Sequence, residues 1–165
     1  MNETRARLYA AGKFRQLVGK SVSQVGHSIG SVINVGIGPT HPQRSNSRRS
    51  LRRPQSRWDR KAKTDLLLWT VAWRLHAGGS VRLDGEKTLD RRIKREIGGL
   101  VGKRVIDVRW RDPLLQFTLV FGRGLFLKVD LRKSHMSGSN EWTMFIGHSL
   151  VSKTENEGRF LISAK

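Results

Sequence analysis

The residues best suited to chemistry are the arginines of one short stretch. Residues 39–64 contain seven arginines and two lysines against a single carboxylate, Asp59. A guanidinium group presents a planar fork of N–H donors that fits phosphate oxygens, and it also stacks on nucleobases. An aromatic ring within such a stretch can serve as a stacking platform. The stretch predicts contacts to a nucleic acid through Arg44, Arg48, Arg49, Arg52, Arg53, Arg57, Trp58, Arg60, Lys61 and Lys63.

The same stretch lacks the apolar periodicity of a folded element. Serine, proline, glutamine and like charge dominate it, which predicts a flexible arm in the free protein. Such an arm orders on a phosphate backbone and releases counterions as it does so. An acidic protein partner and a solvated linker without a partner are the alternatives. The spacing of the arginines does not separate DNA from RNA.

Net charge favours a polyanionic partner for the whole chain. The 165 residues carry 32 Lys plus Arg against 13 Asp plus Glu, which gives a formal charge of +19. A field of this sign attracts phosphate polymers and acidic surfaces. The alternative is an arginine-rich proteome with one unusually basic loop.

Composition excludes several other classes of protein. The absence of cysteine rules out disulfides, thiolate metal sites and thiol nucleophiles. The sequence has neither a long apolar run nor the apolar core of a secretory signal at its N-terminus, so we expect a cytoplasmic protein without membrane contact.

Basic residues outside the arm form two further candidate groups. Arg91 and Arg95 share one face of a predicted helix that also carries Arg92 and Lys94. Arg109, Trp110 and Arg111 follow one another near a predicted turn, where Trp110 either stacks on a base or packs half-buried at an edge. The alternative for all of these charges is ordinary surface charge.

Catalytic constellations are poor in this sequence. The five histidines lack metal-ligand spacing, and each lies near a predicted turn, which is typical of solvated histidines. Asp112, Lys128 and Asp130 faintly suggest a metal-dependent nuclease, but Phe126 occupies the position where that pattern needs a carboxylate. We therefore expect no cofactor and no enzymatic activity.

Periodicity predicts helices followed by antiparallel strands. Residues 100–129 alternate apolar and polar positions between Gly and Asp-Pro breaks, as in a β-meander. A helix before them begins with Thr88 as N-cap, buries Leu89, Ile93 and Ile97, and stops at Gly98-Gly99. Another helix is predicted over residues 2–16, with an apolar stripe of Leu8, Ala11 and Phe14 or Tyr9. Later strands are predicted over residues 66–75, 81–83, 142–146, 150–152 and 159–162.

An internal repeat organises these elements. Residues 17–25 and 100–108 match at an offset of 83, with six of nine positions identical and Leu-Val-Gly-Lys in both copies. Trp69-Thr70 and Trp142-Thr143 provide a further match. The sequence predicts an α+β protein made of two related helix-plus-antiparallel-meander units, residues 1–87 and 88–165, related by a pseudo-twofold axis. The basic stretch 39–64 is an insertion in the first unit.

The repeated Leu-x-Gly-Lys-x-Val motif, the alternating strand that ends in Phe-Gly and the later strand that begins with Trp resemble a family of small bacterial duplicated β-rich domains of unknown function. The resemblance implies a fold and no activity. On the charges above, we expect non-enzymatic binding of DNA or RNA. The alternative is a protein-interaction or inhibitor module that docks on an acidic surface, and a metal-dependent nuclease is the third candidate.

Overall fold

Helices and strands fill most of the chain that can be described. A computed structural model of the protein describes residues 3–28, 32–42, 60–68, 71–111, 116–134, 140–146, 149–154 and 160–164. Within these ranges the helices are α1 (Glu3–Arg15), α2 (Asp90–Glu96) and a 3₁₀ helix (Ile97–Leu100). The strands are β1 (Val22–His27), β2 (Ile33–Pro42), β3 (Arg60–Leu68), β4 (Val71–Ala77), β5 (Ser80–Asp84), β6 (Asp107–Arg111), β7 (Gln116–Gly122), β8 (Leu125–Ser134), β9 (Asn140–Ile146), β10 (Ser149–Thr154) and β11 (Phe160–Ala164). The predicted α+β class with antiparallel sheets is confirmed.

Two antiparallel sheets share strands from both halves of the chain. The first sheet has the order β1-β2-β3-β9-β10-β11 and the second has the order β5-β4-β8-β7-β6. The chain leaves the first sheet after β3 and returns to it at β9, so that β3 pairs with β9 while β4 pairs with β8. Neither half therefore completes a sheet of its own.

Residues 19–22 and 102–105, which begin within the two Leu-Val-Gly-Lys segments, hydrogen-bond to each other. The Gly19 N–H donates to the Val105 carbonyl at 2.7 Å, and the Gly102 N–H donates to the Val22 carbonyl at 2.8 Å. Both glycines have a positive φ, +85° and +82°, which other residues rarely adopt. In the neighbouring bonds the Val22 N–H donates to the Lys103 carbonyl and the Val105 N–H donates to the Lys20 carbonyl. Ser21 and Arg104 form an isolated antiparallel β-bridge. Each bond thus has a counterpart 83 residues away.

One pair of strand registers places two tryptophans in similar positions in the two sheets. Trp73 on β4 lies opposite Val129 of β8, and Trp142 on β9 lies opposite Leu68 of β3. Trp142 therefore occupies the position that corresponds to Trp73. Trp69, which the sequence match aligns with Trp142, lies outside the described residues.

The helices contribute side chains to the apolar core. The Phe14 ring of α1 packs edge-to-face on Trp110, with centroids 4.5 Å apart, and lies 4.8 Å from Phe117. Ile93, Ile97 and Leu100 are buried in the same core. Leu8 and Leu89, predicted for the apolar stripes, are 69% and 65% exposed. Those two predictions are wrong, since Leu89 precedes the first turn of α2 and α1 packs on the core through Tyr9, Ala11 and Phe14.

The boundaries of α2 differ from the prediction. Leu89, not Thr88, is the N-cap residue, and it makes no side-chain capping bond. The Thr88 hydroxyl instead accepts the Asp84 N–H at 2.8 Å, which closes the loop that leads into α2. Gly98 and Gly99 lie within the 3₁₀ helix that follows α2 and do not end the helical segment.

Two predicted segments have different boundaries in the structure. The strand predicted over residues 66–75 is two strands, β3 and β4, in different sheets. Both ends of the predicted flexible insertion 39–64 lie in strands, because residues 39–42 belong to β2 and residues 60–64 to β3, paired as His41 with Lys61, while residues 43–59 lie outside the described residues. The ends of the basic stretch therefore take part in a β-ladder.

Candidate nucleic-acid interface

Most of the predicted arm lies outside the described residues. This applies to Arg44, Arg48, Arg49, Arg52, Arg53, Arg57 and Trp58. Arg60, Lys61 and Lys63 lie in the first half of β3, whose backbone pairs with β2. Of the predicted arm, the structure therefore describes only the two paired strand ends.

Three arginines surround one carboxylate at the end of α2. The Nε atoms of Arg82 and Arg92 lie 3.2 Å and 3.0 Å from the Glu96 carboxylate, and an Arg95 terminal nitrogen lies 3.2 Å from it. The hydrogen bonds from Arg95 and Arg82, with a smaller one from Arg92, hold the pKa of Glu96 below its usual range despite some desolvation. We call Arg82, Arg92, Arg95 and Glu96 the arginine cluster. One carboxylate balances only one of three guanidinium groups.

A cleft of about 510 Å³ adjoins the arginine cluster. Arg82 and Glu96 line it together with Lys103 and Arg123, over an apolar floor that includes Leu75, Phe121 and Leu125. Within the described part of the chain, Lys103 and Arg123 have no ion-pair partner. Lys103 follows the Gly102 turn, and Arg123 lies in the turn between β7 and β8 with a φ of +50°. The cleft is therefore net positive.

The sequence predicted only part of this cationic surface. Arg91 and Arg95 are exposed on α2 as predicted, and Arg95 is part of the arginine cluster. Arg82, Lys103 and Arg123 were missed as site residues because they come from a strand and two turns that are distant in sequence. High net charge was the only signal that pointed to them.

The outer face of the second sheet forms a second candidate surface. Registers place Arg109, Thr118, Lys128 and Arg74 in one row across β6, β7, β8 and β4. A groove of about 380 Å³ lies over this face and is lined by Arg109, Trp110, Arg111, Gln116, Thr118, Val120, Phe126 and Lys128. We call this region the sheet groove.

Carboxylates neutralise part of the sheet groove. Arg109 Nε lies 2.8 Å from Asp107 and Arg74 Nε lies 2.7 Å from Asp84. The Arg109 hydrogen bond, opposed by some desolvation, lowers the pKa of Asp107. Among the described residues, Arg111 and Lys128 have no ion-pair partner. These two cations are the ones most available to an anionic ligand.

Trp110 is not a base-stacking residue in this structure. Because side chains alternate along a strand, the ring of Trp110 lies on the side of β6 opposite to Arg109 and Arg111. It packs against Phe14 and Phe117 of the core, with centroid distances of 4.5 Å and 5.5 Å. Of the two sequence interpretations, core packing is the one observed.

The two histidines whose side chains can be described are not the solvated turn residues that the sequence suggested. His76 lies within β4 and stacks on Phe126, with centroids 4.5 Å apart and an interplanar angle of 12°. Burial, together with the nearby charges of Lys128 and Arg74, lowers its pKa. The His27 side chain in β1 is only 1% exposed and lies 3.9 Å from Asp90.

A metal-dependent nuclease centre gains no support from the geometry. The described residues contain no group of three His, Asp or Glu side chains that could hold a metal ion. Asp112 lies outside the described residues. Asp130 instead accepts a hydrogen bond from the Gln116 amide.

Comparisons with known proteins do not assign this chain to a family. No protein-family model, no curated protein and no solved structure matches the chain. Among the helices of the described part, none has both the length and the apolar character needed to cross a bilayer.

Proposed function

We propose that this protein is a non-enzymatic nucleic-acid-binding protein that contacts the phosphate backbone. The supporting observation is the arginine cluster, where three guanidinium groups share one carboxylate beside a cleft with two more cations. Guanidinium groups held in place by a carboxylate keep N–H donors free for phosphate oxygens and lose less conformational entropy on binding. Electrostatic attraction of this kind is independent of base sequence.

The arm adds a second set of phosphate contacts in this proposal. Residues 43–59 connect the paired ends of β2 and β3, so the arm is tethered at both ends to the first sheet. Its basic residues then act at a high effective concentration once the arginine cluster has bound. DNA and RNA both remain ligands under this proposal.

The same cations support a second candidate function, docking on an acidic protein surface as an inhibitor or accessory module. Charge complementarity of this kind raises association rates and also depends on salt. Release of condensed counterions from a phosphate polymer gives the steeper salt dependence, which separates the two functions.

We also infer that the chain arose by duplication of a helix-plus-meander unit, as the resemblance to duplicated bacterial domains implies. The paired hydrogen bonds at an offset of 83 residues and the matched strand registers support this inference. In this proposal the two copies exchange their last strands, so that each sheet combines strands of both units.

Fluorescence anisotropy with labelled DNA and RNA tests the nucleic-acid proposal. We expect affinity to fall by a factor of about ten or more between about 50 and 200 mM salt. A variant with Arg82, Arg92 and Arg95 changed to Gln should lose affinity and reduce the salt slope by about one for each phosphate contact removed. Deletion of residues 43–59 should weaken binding further.

The matched control changes Arg5, Lys13 and Arg15 of α1 to Gln, which removes the same number of positive charges from another surface. Equal losses in the two triple variants would show that net charge alone is responsible. The absence of salt-sensitive binding to both DNA and RNA would contradict the proposal and favour the acidic protein partner.

A further inference from the structure

The sheet groove contains a buried acceptor to which no described residue donates a hydrogen bond. Gln116 is 6% exposed, and its Nε2 donates to Asp130 Oδ2 at 2.5 Å. This bond fixes the amide orientation and directs Oε1 away from Asp130. No described group donates to the Gln116 Oε1 atom. A buried acceptor without a hydrogen bond destabilises the folded protein. A ligand N–H that donates to this acceptor removes that cost and so adds to the free energy of binding.

A planar apolar surface lies at the other end of the same groove. Phe126 lines the groove and stacks on His76. Both side chains are partly exposed. A lowered pKa keeps the His76 ring neutral near neutral pH. A neutral ring pair of this kind offers a face on which another flat ring can stack.

A cation lies between the acceptor and the rings. Registers place Gln116 opposite Asp130, Thr118 opposite Lys128 and Val120 opposite Phe126, in three successive rows. Gln116 and Val120 are therefore about 13 Å apart along β7. Lys128 occupies the middle row, and Arg111 lies opposite Gln116 at the groove edge.

The fold itself does not require these cations. Four positions of the first sheet correspond by register to the charged row. They are Gly26 for Arg109, Asn34 for Thr118, Leu67 for Lys128 and Thr143 for Arg74. None of these four carries a charge. The charged row of the second sheet is thus a feature of its surface, available for a ligand.

We propose that the sheet groove binds two adjacent unstacked nucleotides of a single strand. One base stacks on the Phe126–His76 pair, the next donates an N–H to Gln116 Oε1, and Lys128 and Arg111 contact the phosphates. A groove of about 380 Å³ is at the lower end of the range of about 300–1,000 Å³ for ligand sites. The inference rests on the proposed nucleic-acid function and adds that single strands are preferred, because duplex bases have their faces stacked and their edges paired.

Anisotropy with three probes of equal length, about 12 nucleotides, tests this inference. The probes are a single strand, the same strand with abasic sites throughout, and the duplex. We expect the single strand to bind about tenfold more tightly than the abasic strand, which has the same charge. We expect Phe126→Leu to reduce single-strand affinity about tenfold and to leave abasic binding unchanged, while Lys128→Gln should weaken both.

The control is Tyr9→Leu, which removes a partly exposed ring from α1, outside the groove. Equal affinity for the three probes, or no effect of Phe126→Leu on single-strand binding, would overturn the inference and leave backbone binding intact. An absence of salt-sensitive binding to every probe would overturn the inference and the proposed function together. If Phe126→Leu fails to fold in a thermal melt, the abasic comparison on the unmodified protein decides the matter.

Discussion

A single carboxylate organises the loop between β5 and α2. Asp84 Oδ2 accepts a hydrogen bond from Arg74 Nε at 2.7 Å, and Oδ1 accepts the N–H groups of Glu86 and Lys87 at 3.0 and 3.2 Å. Burial alone would raise the pKa of Asp84. The hydrogen bonds outweigh burial and hold that pKa below its usual range.

We expect Asp84→Asn to lower the free energy of unfolding by about 1.5–3 kcal/mol near pH 7, because it weakens three hydrogen bonds to a charged group. A depressed folded pKa stabilises the protein above the unfolded pKa of about 4 and loses its effect as pH falls through the folded value. The difference between variant and parent should therefore shrink below about pH 4. Urea unfolding of both proteins at several pH values measures this difference in the free energy of unfolding.

Asp107→Asn is the control for the Asp84 prediction. Asp107 also pairs with an arginine, Arg109, but this pair is exposed at the surface, with side chains 48% and 71% accessible. Solvent screens such pairs, so we expect no measurable change in stability. Equal losses of stability from the two substitutions would contradict the conclusion that the hydrogen bonds of Asp84 stabilise the loop between β5 and α2.

At the scale of elements, the approach of the β5–α2 loop to β4 depends on a glycine. The Gly85 N–H donates to the Trp73 carbonyl at 3.0 Å, and a Cβ atom on Gly85 would lie 2.6 Å from Trp73 Nε1. Trp73 is 1% exposed, so any movement of its indole ring disturbs the packed core. The absence of a side chain at residue 85 is what allows this contact.

We expect Gly85→Ala to lower the free energy of unfolding by about 1–3 kcal/mol through this overlap. Gly99→Ala is the matched control, since a Cβ there meets no atom within 4 Å. Thermal unfolding followed by circular dichroism compares the two. A melting temperature for Gly85→Ala equal to that of the control would show that the loop shifts without cost.

At the scale of the whole molecule, the halves are interlocked. The pairs β3–β9 and β4–β8 join strands from opposite sides of residue 87, and the Gly19 and Gly102 segments pair across the same division. An isolated half would expose unpaired strand edges and part of the apolar core. Stability is therefore a property of the intact chain.

We expect residues 1–87 and residues 88–165, expressed separately, to lack cooperative thermal unfolding. Co-expression should give a one-to-one complex, because each fragment supplies the strands that the other lacks. Size-exclusion chromatography and circular dichroism measure both outcomes. Cooperative thermal unfolding of either fragment alone would show that a half can fold without the strands of the other half, which contradicts this prediction.

The sequence determined the local features of this protein. Alternation and glycine positions predicted the β6–β7–β8 meander and the turn at residues 122–124, where three consecutive residues have positive φ. The repeated Leu-Val-Gly-Lys motif located the segments that pair between the halves. Net charge indicated the class of partner that we propose. These features depend on neighbouring residues, so the sequence records them directly.

Tertiary structure alone decided which strands share a sheet and which cations share a surface. Residues 66–75 form an uninterrupted pattern in the sequence, yet they divide between two sheets because β3 pairs with β9 and β4 pairs with β8, strands that are distant in sequence. The arginine cluster joins Arg82 of β5 to Glu96 of α2, and the adjoining cleft adds a turn residue, Arg123. Contacts between distant segments arise only when the core packs, and no local pattern of residues specifies them.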